Sequence, residues 1–464
     1  MTGLVRAPVS ADLPFWRMVM YGLPALPTAF LYLPLPLLIP PFYAAHLGLS
    51  LTTIGVFLLF AKLFDMVIDP MLGRLSDITK SRWGRRRPWM VIGTPIMMVG
   101  TALVFLPPAH VTGWYLMFAS MVIYFGASMT GLAYSAWGAE IVETYHGRSK
   151  LAGVREFCTI FGTLLAAAIP ALTARYGHDV DRFTIAILGW TAIVLMPICL
   201  FAALRWVPEP PRAADAREEA PWLDTLRELW GNIPFRFLCG GFVLTSVGNS
   251  VASACLIFYV TYYLRAPALV GPVLIVSFMA VLLFVPVWVR IARRIGKHRA
   301  VAYSLILSII ASSLLTFQLR PGDGIYFVVL VGFLGAAASA SMTLPVAMMG
   351  DVIDYDALRT GSQRGGVYFG VWAFAQQIAP GLAIGATLPL LEWLGFRAGP
   401  ESTQAGLDWL RIVYCFGPLP FLVVGAALLL RFPIDARRHA VIRRRLDVRL
   451  ARRHAVSSGE TCEI

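Results

Sequence analysis

Twelve apolar runs, most of them about 20 residues or longer, follow one another from end to end of this chain. Their approximate limits are 18–44, 51–75, 89–108, 114–141, 151–174, 183–206, 236–264, 267–290, 300–318, 325–350, 366–393 and 409–431. A segment of that length crosses a bilayer only as a helix, which pairs its own backbone N–H and C=O groups where no water can. A membrane barrel would show short segments of alternating polarity instead. Of the 464 residues only 14% are charged and 58% are hydrophobic, against about 25% charged in soluble domains. The charges are too few to cover a water-exposed surface, so a soluble enzyme, a disordered chain and a secreted disulfide scaffold are excluded. The expected fold is all-α, with twelve transmembrane helices.

Lysine and arginine collect in alternate loops. One set holds Lys80, Arg82, Arg85, Arg86 and Arg87, then Arg148 and Lys150, then Arg293, Arg294, Lys297 and Arg299, then Arg359 and Arg364, and ends in the Arg-rich tail. By the positive-inside rule this side faces the cytoplasm, with both termini, in the plasma (inner) membrane. The net charge of +13 is therefore an orientation signal with some attraction to anionic membrane lipid, and nucleic acid is not an expected partner. Residues 208–232 form the longest polar break. They divide the chain into a first bundle (1–206), a linker (207–233), a second bundle (234–432) and a basic tail (433–464). Trp222, Leu223, Leu226, Leu229 and Trp230 lie at helical spacing, as do Val441, Ile442, Leu446 and Leu450. Both segments read as amphipathic helices on the membrane surface. The six cysteines form no metal-ligand spacing, and the spans hold no histidine cluster or nucleophile motif. No enzyme activity, resident metal or cofactor is expected.

The halves repeat each other at two places. Arg82-Trp83-Gly84-Arg85-Arg86-Arg87 after the second span matches Arg294-Ile295-Gly296-Lys297-His298-Arg299 after the eighth, 212 positions on (84 to 296). Glu140, Glu143 and Arg148 match Asp351, Asp354 and Arg359, 211 positions on (140 to 351). Duplicated six-helix halves around a central cavity are an architecture of transporters.

Charges deep in a bilayer cost about 2.5–3.5 kcal/mol each on insertion scales, so those present need a reason. Lys62, Asp65 and Asp69 stand at i, i+3 and i+7 in the second span and share one helical face. Two carboxylates one turn apart in a low dielectric do not both ionise cheaply unless a cation sits between them. That is the physics of a coupling site for H⁺ or Na⁺. The alternative is a structural Lys62–Asp65 pair. Arg155, early in the fifth span, is placed to pair with Asp65 or Asp69 or to contact a solute. Glu140 and Asp351 are expected to form gating ion pairs with loop arginines. Tyr134 and Trp137, Asn249 with Thr245 and Ser253, and Tyr368, Trp372, Gln376 and Gln377 form polar and aromatic stripes, suited to an organic solute in a cavity or to helix packing.

The segment from Asp65 through Asp69-Pro70, Gly73 and Asp77 to Trp83-Gly84-Arg85-Arg86-Arg87 resembles the glycoside–pentoside–hexuronide:cation symporter family of the major facilitator superfamily. So does the segment Gly350-Asp351-Val352-Ile353-Asp354-Tyr355-Asp356 to Arg359-Thr360-Gly361, with Phe369-Gly370-Val371-Trp372. The resemblance implies two pseudo-symmetric six-helix bundles. It assigns Asp65 and Asp69 to the cation site and Trp137 and Arg155 to positions that contact the sugar or its charged network. Gly73, Asp77 and the arginines after them fall in its gating motif, and Asp354 and Arg359 in its span 10–11 signature. Ala29, Ala133, Met342 and Gln377 stand near positions where melibiose carriers have Asp, Asp, Trp and Lys, and Ile68 replaces an asparagine. With fewer oxygens for a hard cation, H⁺ is expected over Na⁺. The expected function is cation-coupled symport of a sugar, glycoside or other small organic solute by a monomer. The alternatives are an uncoupled or lysolipid carrier of the same fold and a non-transporting membrane sensor.

Overall fold

The computed structural model describes residues 13–79, 81–142, 145–208, 229–360, 365–399, 402–435, 438–442, 444–446 and 448. Among these residues every regular element is helical. Twelve helices are long and apolar enough to cross a membrane, from Phe15–Leu37 to Gln404–Leu430. The first is interrupted after Gly22 and Tyr32, where Pro24 and Pro34 remove backbone donors. The second (Leu51–Ser76), fourth (Gly113–Gly138) and sixth (Arg182–Trp206) begin at side-chain caps. Ser50 Oγ accepts from Thr53 N at 3.1 Å, Thr112 Oγ1 from Tyr115 N at 3.3 Å, and Asp181 Oδ1 from Thr184 N at 2.9 Å. Each satisfies one amide that the helix start leaves unpaired.

The chain forms two compact units. One comprises Met1–Ala216 with Ala266–Ile275 and Ile384–Gly406. The other comprises Arg217–Arg265, Val276–Ala383 and Leu407–Ile464. Two short segments from beyond the linker, Ala266–Ile275 and Ile384–Gly406, thus cluster with the first unit. Within the first unit, Gly271 meets Ala171, and Gly55 and Gly385 meet Leu388 and Leu59. The third (Arg87–Phe105) and fourth spans of this unit approach through glycine. A Cβ on Gly126 would overlap Met97 N, and one on Gly100 would overlap Ile123 N. In lipid such small residues let backbones meet, and van der Waals contact takes over from the hydrophobic effect.

The second unit has a core of Phe235, Leu305, Met348, Tyr368, Trp372 and Leu429, among others. The tail helix departs from expectation here. Ile442 is buried in that core and Leu446 packs against it, while Val441 is exposed. Ile442 and Leu446 of its apolar face are thus covered by protein. Leu450, and Trp222, Leu223 and Leu226 of the linker, lie outside the described residues. Leu229 is buried and Trp230 exposed.

Candidate functional site

The helix Leu51–Ile78 runs unbroken through Pro70 and holds Asp65 near its midpoint. Asp65 is 3% exposed. A carboxylate this buried keeps its charge only with compensating partners, and two are present. Lys62 Nζ donates to Oδ2 at 2.6 Å from one turn earlier on the same helix. Ser128 Oγ, on the fourth span, donates to Oδ1 at 2.7 Å. The Lys62 ammonium also lies 4.8 Å from the centre of the Tyr124 ring, a cation–π contact. Asp69 and the hydroxyls of Tyr32 and Tyr124 share the electrostatic field of Asp65. The structural pair weighed as an alternative is therefore made, but inside a cluster assembled from three spans. Ser128 and Tyr124 were not singled out in the sequence, although their i, i+4 spacing was a usable signal.

Arg155 is not among the groups that act on Asp65. The electrostatic partners of Asp65 are Lys62, Ser128 and Asp69, whereas Arg155 lies against the Tyr21 hydroxyl. Tyr21 and Tyr134 form a reciprocal clasp. Tyr134 OH donates to the Tyr21 carbonyl at 2.6 Å and Tyr21 OH to the Tyr134 carbonyl at 3.2 Å, with the rings stacked at 4.6 Å. Trp137 is 0% exposed, sits in the same core and has no hydrogen bond to its indole N–H. In this state Tyr134 and Trp137 are packing residues rather than a cavity wall.

The stripe on the eleventh span also divides. Tyr368 is buried and accepts from Asn232 Nδ2 at 2.8 Å. Trp372 is buried and stacks on Phe242 at 3.8 Å. Gln376 is exposed, and Gln377 and Asn249 are half-buried. Tyr368 and Trp372 are thus held in packing, and of the three only Gln376 is exposed.

The repeated motifs build two similar latches, one in each unit. In the first, Gly84 has φ 98°; the turn there delivers Arg85 and Arg86 to Glu140. Glu140 Oε1 accepts from Arg85 Nη2 at 2.5 Å and from Arg86 Nη2 at 2.8 Å. Arg86 Nη1 donates to Ser76 Oγ at 2.7 Å. In the second, Gly296 has φ 96°, and Lys297 Nζ donates to both oxygens of Asp351 at 2.7 and 2.8 Å. A left-handed φ favours glycine, which explains its recurrence at both turns. The partner of Asp351 is thus a lysine rather than an arginine. His439 of the tail adds a contact to Asp351 Oδ1 at 3.3 Å and to Asp354 Oδ2 at 3.2 Å. Arg359 donates to the Gly231 carbonyl at 2.9 Å rather than to an acid. A Cβ at Gly73 would meet nothing within 4 Å, so close packing does not account for that glycine. The Asp77 side chain lies outside the described residues.

The tenth helix, Gly324–Thr360, has 37 residues. At 1.5 Å per residue it is about 55 Å long, against a hydrocarbon core of about 30 Å. Its last turns, with Asp351, Asp354 and Arg359, can therefore stand beyond the apolar layer. A mid-span carboxylate with an internal cation, and charged latches at the span ends, can exchange protons or ions and hold helices by ion pairs. Among the described residues no group of three His, Cys, Asp or Glu side chains could hold a metal.

Comparison with known proteins agrees with this geometry. The chain is 25% identical to the uncharacterized symporter YnaJ of Bacillus subtilis (strain 168), covering 88% of this chain and 89% of that one. It is 25% identical to the sodium-dependent lysophosphatidylcholine symporter 1 of Xenopus tropicalis, covering 86% of this chain and 81% of that one. Its fold matches the crystal structure of the nucleoside transporter NupG with a TM-score of 0.60 at 13% identity, over 90% of this chain and 98% of that one. Residues 20–436 match the MFS/sugar transport protein family, and the chain belongs to that family of integral, multi-pass membrane transporters.

Proposed function

We propose that this protein is a secondary active transporter that couples uptake of a sugar, glycoside or other small organic solute to a cation through Asp65 and Asp69. It works as a monomer in the plasma (inner) membrane, with both termini cytoplasmic. The observation that carries the reading is Asp65 itself, buried in mid-span between Lys62 Nζ at 2.6 Å and Ser128 Oγ at 2.7 Å. Both partners can be exchanged for a bound proton as the site opens to alternate sides. A proton is the favoured coupling ion, with Na⁺ at the same two carboxylates as the rival. Ile68 and the fully buried Ala133 supply no side-chain oxygen, whereas a hard cation needs several. The Lys62 ammonium already holds the cationic position beside Asp65. In this reading the Glu140 and Asp351 latches close one side while the other is open.

A second reading is favoured by one observation. Ala29 and Ala133, near where melibiose carriers have sugar-binding acids, are both buried apolar contacts. A less polar solute, including a lysolipid, suits such a site better than a simple galactoside does. The test is counterflow and uptake in proteoliposomes, with a panel of glycosides and lysophosphatidylcholine, under an imposed pH gradient, an imposed Na⁺ gradient or neither. Accumulation driven by the pH gradient supports the proposal. Uptake that only equilibrates under every gradient rejects coupling, and no counterflow with any solute favours a sensor.

A further inference from the structure

A cavity of about 480 Å³ opens at the arginine-rich end of the first unit, lined by Arg82, Trp83, Gly84, Arg87, Val91 and Leu204. Two guanidiniums and an exposed tryptophan stand at its rim. Arg82 lies over the Trp83 ring at 5.8 Å. Arg87 ties the start of the third span to the end of the sixth by donating to the Val207 carbonyl at 2.7 Å. Arg205 and Trp206, next to Leu204, are exposed at the same boundary.

Below this rim the surface is apolar and, among the described residues, uncovered by protein. On the sixth span Trp190, Val194, Ile198 and Phe201 are exposed. Their spacing of 4, 4 and 3 residues, continued 4 on by Arg205, forms one stripe along the helix. On the third span Val91, Ile92 and Val99 are exposed. Apolar tracks inside the bilayer thus run up to a basic, aromatic rim at its edge. Tryptophan favours that depth, and arginine pairs with phosphate there.

We infer that this cavity binds the headgroup of an anionic phospholipid, with its phosphate between Arg82, Arg87 and Arg205 and its acyl chains along the Val194–Ile198–Phe201 stripe. A free phosphate would use the arginines but not the stripe. The site lies beside the turn that carries Arg85 and Arg86 to Glu140, so an occupied headgroup draws on the same basic segment as that latch.

The test is native mass spectrometry of the purified full chain in detergent, titrated with phosphatidylglycerol, phosphatidylcholine or glycerol 3-phosphate. Wild type is expected to retain one phosphatidylglycerol in preference to phosphatidylcholine. Removing a basic residue near a lipid surface should weaken retention about fivefold, so Arg82→Gln with Arg205→Gln should weaken it by more than tenfold. Arg293→Gln with Arg294→Gln removes equal charge at the end of the eighth span and should leave it unchanged. Val91→Phe narrows the cavity without touching an arginine and should lower retention too, which keeps the test open if the double variant fails to fold. Equal retention of the two lipids, or no loss in both Arg82→Gln/Arg205→Gln and Val91→Phe, would overturn the inference. Displacement of phosphatidylglycerol by glycerol 3-phosphate would make this an anion site without lipid selectivity and overturn it as well.

Discussion

Lys62 Nζ and Asp65 Oδ2 stand 2.6 Å apart on one helix in the middle of a membrane span, while Ser128 from another span holds the second oxygen. A buried pair is costly to desolvate, but breaking it costs more, because one charge is then left alone. Lys62→Met is expected to destabilise the protein by about 3–5 kcal/mol. Lys62→Met with Asp65→Leu should recover most of that loss. Thermal unfolding of the single and double variants in one detergent measures the difference. Equal losses would show that the charges do not act as a pair.

Ser128→Ala removes a hydroxyl donor to a carboxylate, worth about 1.5–3 kcal/mol. Ser128→Thr keeps the hydroxyl and should retain most of it. The same unfolding series separates loss of the donor from a general effect of changing the fourth span.

Arg86 is buried and shared between Glu140 and Ser76. Glu140→Gln leaves the guanidinium without its anion and should cost about 3 kcal/mol. Hydrogen exchange around residues 81–90 should rise with it. Unchanged protection there would mean that the latch does not hold the turn.

Asp181 caps the sixth span. Burial acts to raise its carboxyl, but the Thr184 amide and the His178 ring outweigh burial and hold it below the ordinary range. A group lowered on folding contributes stability above its unfolded value of about 3.9, and that contribution is lost as pH falls through its lower folded value. Asp181→Ala should therefore cost about 1 kcal/mol at neutral pH. The gap from wild type should be flat above about pH 5 and shrink below about pH 4. A gap that widens in acid would contradict the assignment.

His439→Ala and Ile442→Asp each remove one side of the tail's docking, the contacts to Asp351 and Asp354 and the apolar seat. Both are expected to raise hydrogen exchange in residues 438–446. Protection equal to wild type in both would mean that the tail is held by something else.

Much of this architecture was legible in the chain, because a bilayer demands long apolar helices and run length alone reveals them. The i, i+3 placement of Lys62 and Asp65 is local, so their shared face could be read directly. Ser128 is 63 positions from Asp65, and which faces of two spans meet is set by packing that no local pattern carries. Spacing puts Tyr368, Trp372 and Gln376 near one another on their helix, but which of them a neighbouring helix covers is set by packing between spans. The apolar face of the tail looks the same in sequence whether lipid or protein covers it. His439 between two aspartates was decisive, and it exists only once the chain has folded.

The most direct measurement is solute-induced proton flux in proteoliposomes, using any solute that counterflow identifies, for wild type, Asp65→Asn and Asp69→Asn. Wild type should take up protons with solute. Each variant should lose that flux and concentrative uptake while keeping solute exchange. Full proton-coupled accumulation by both variants would contradict a coupling role for the second span.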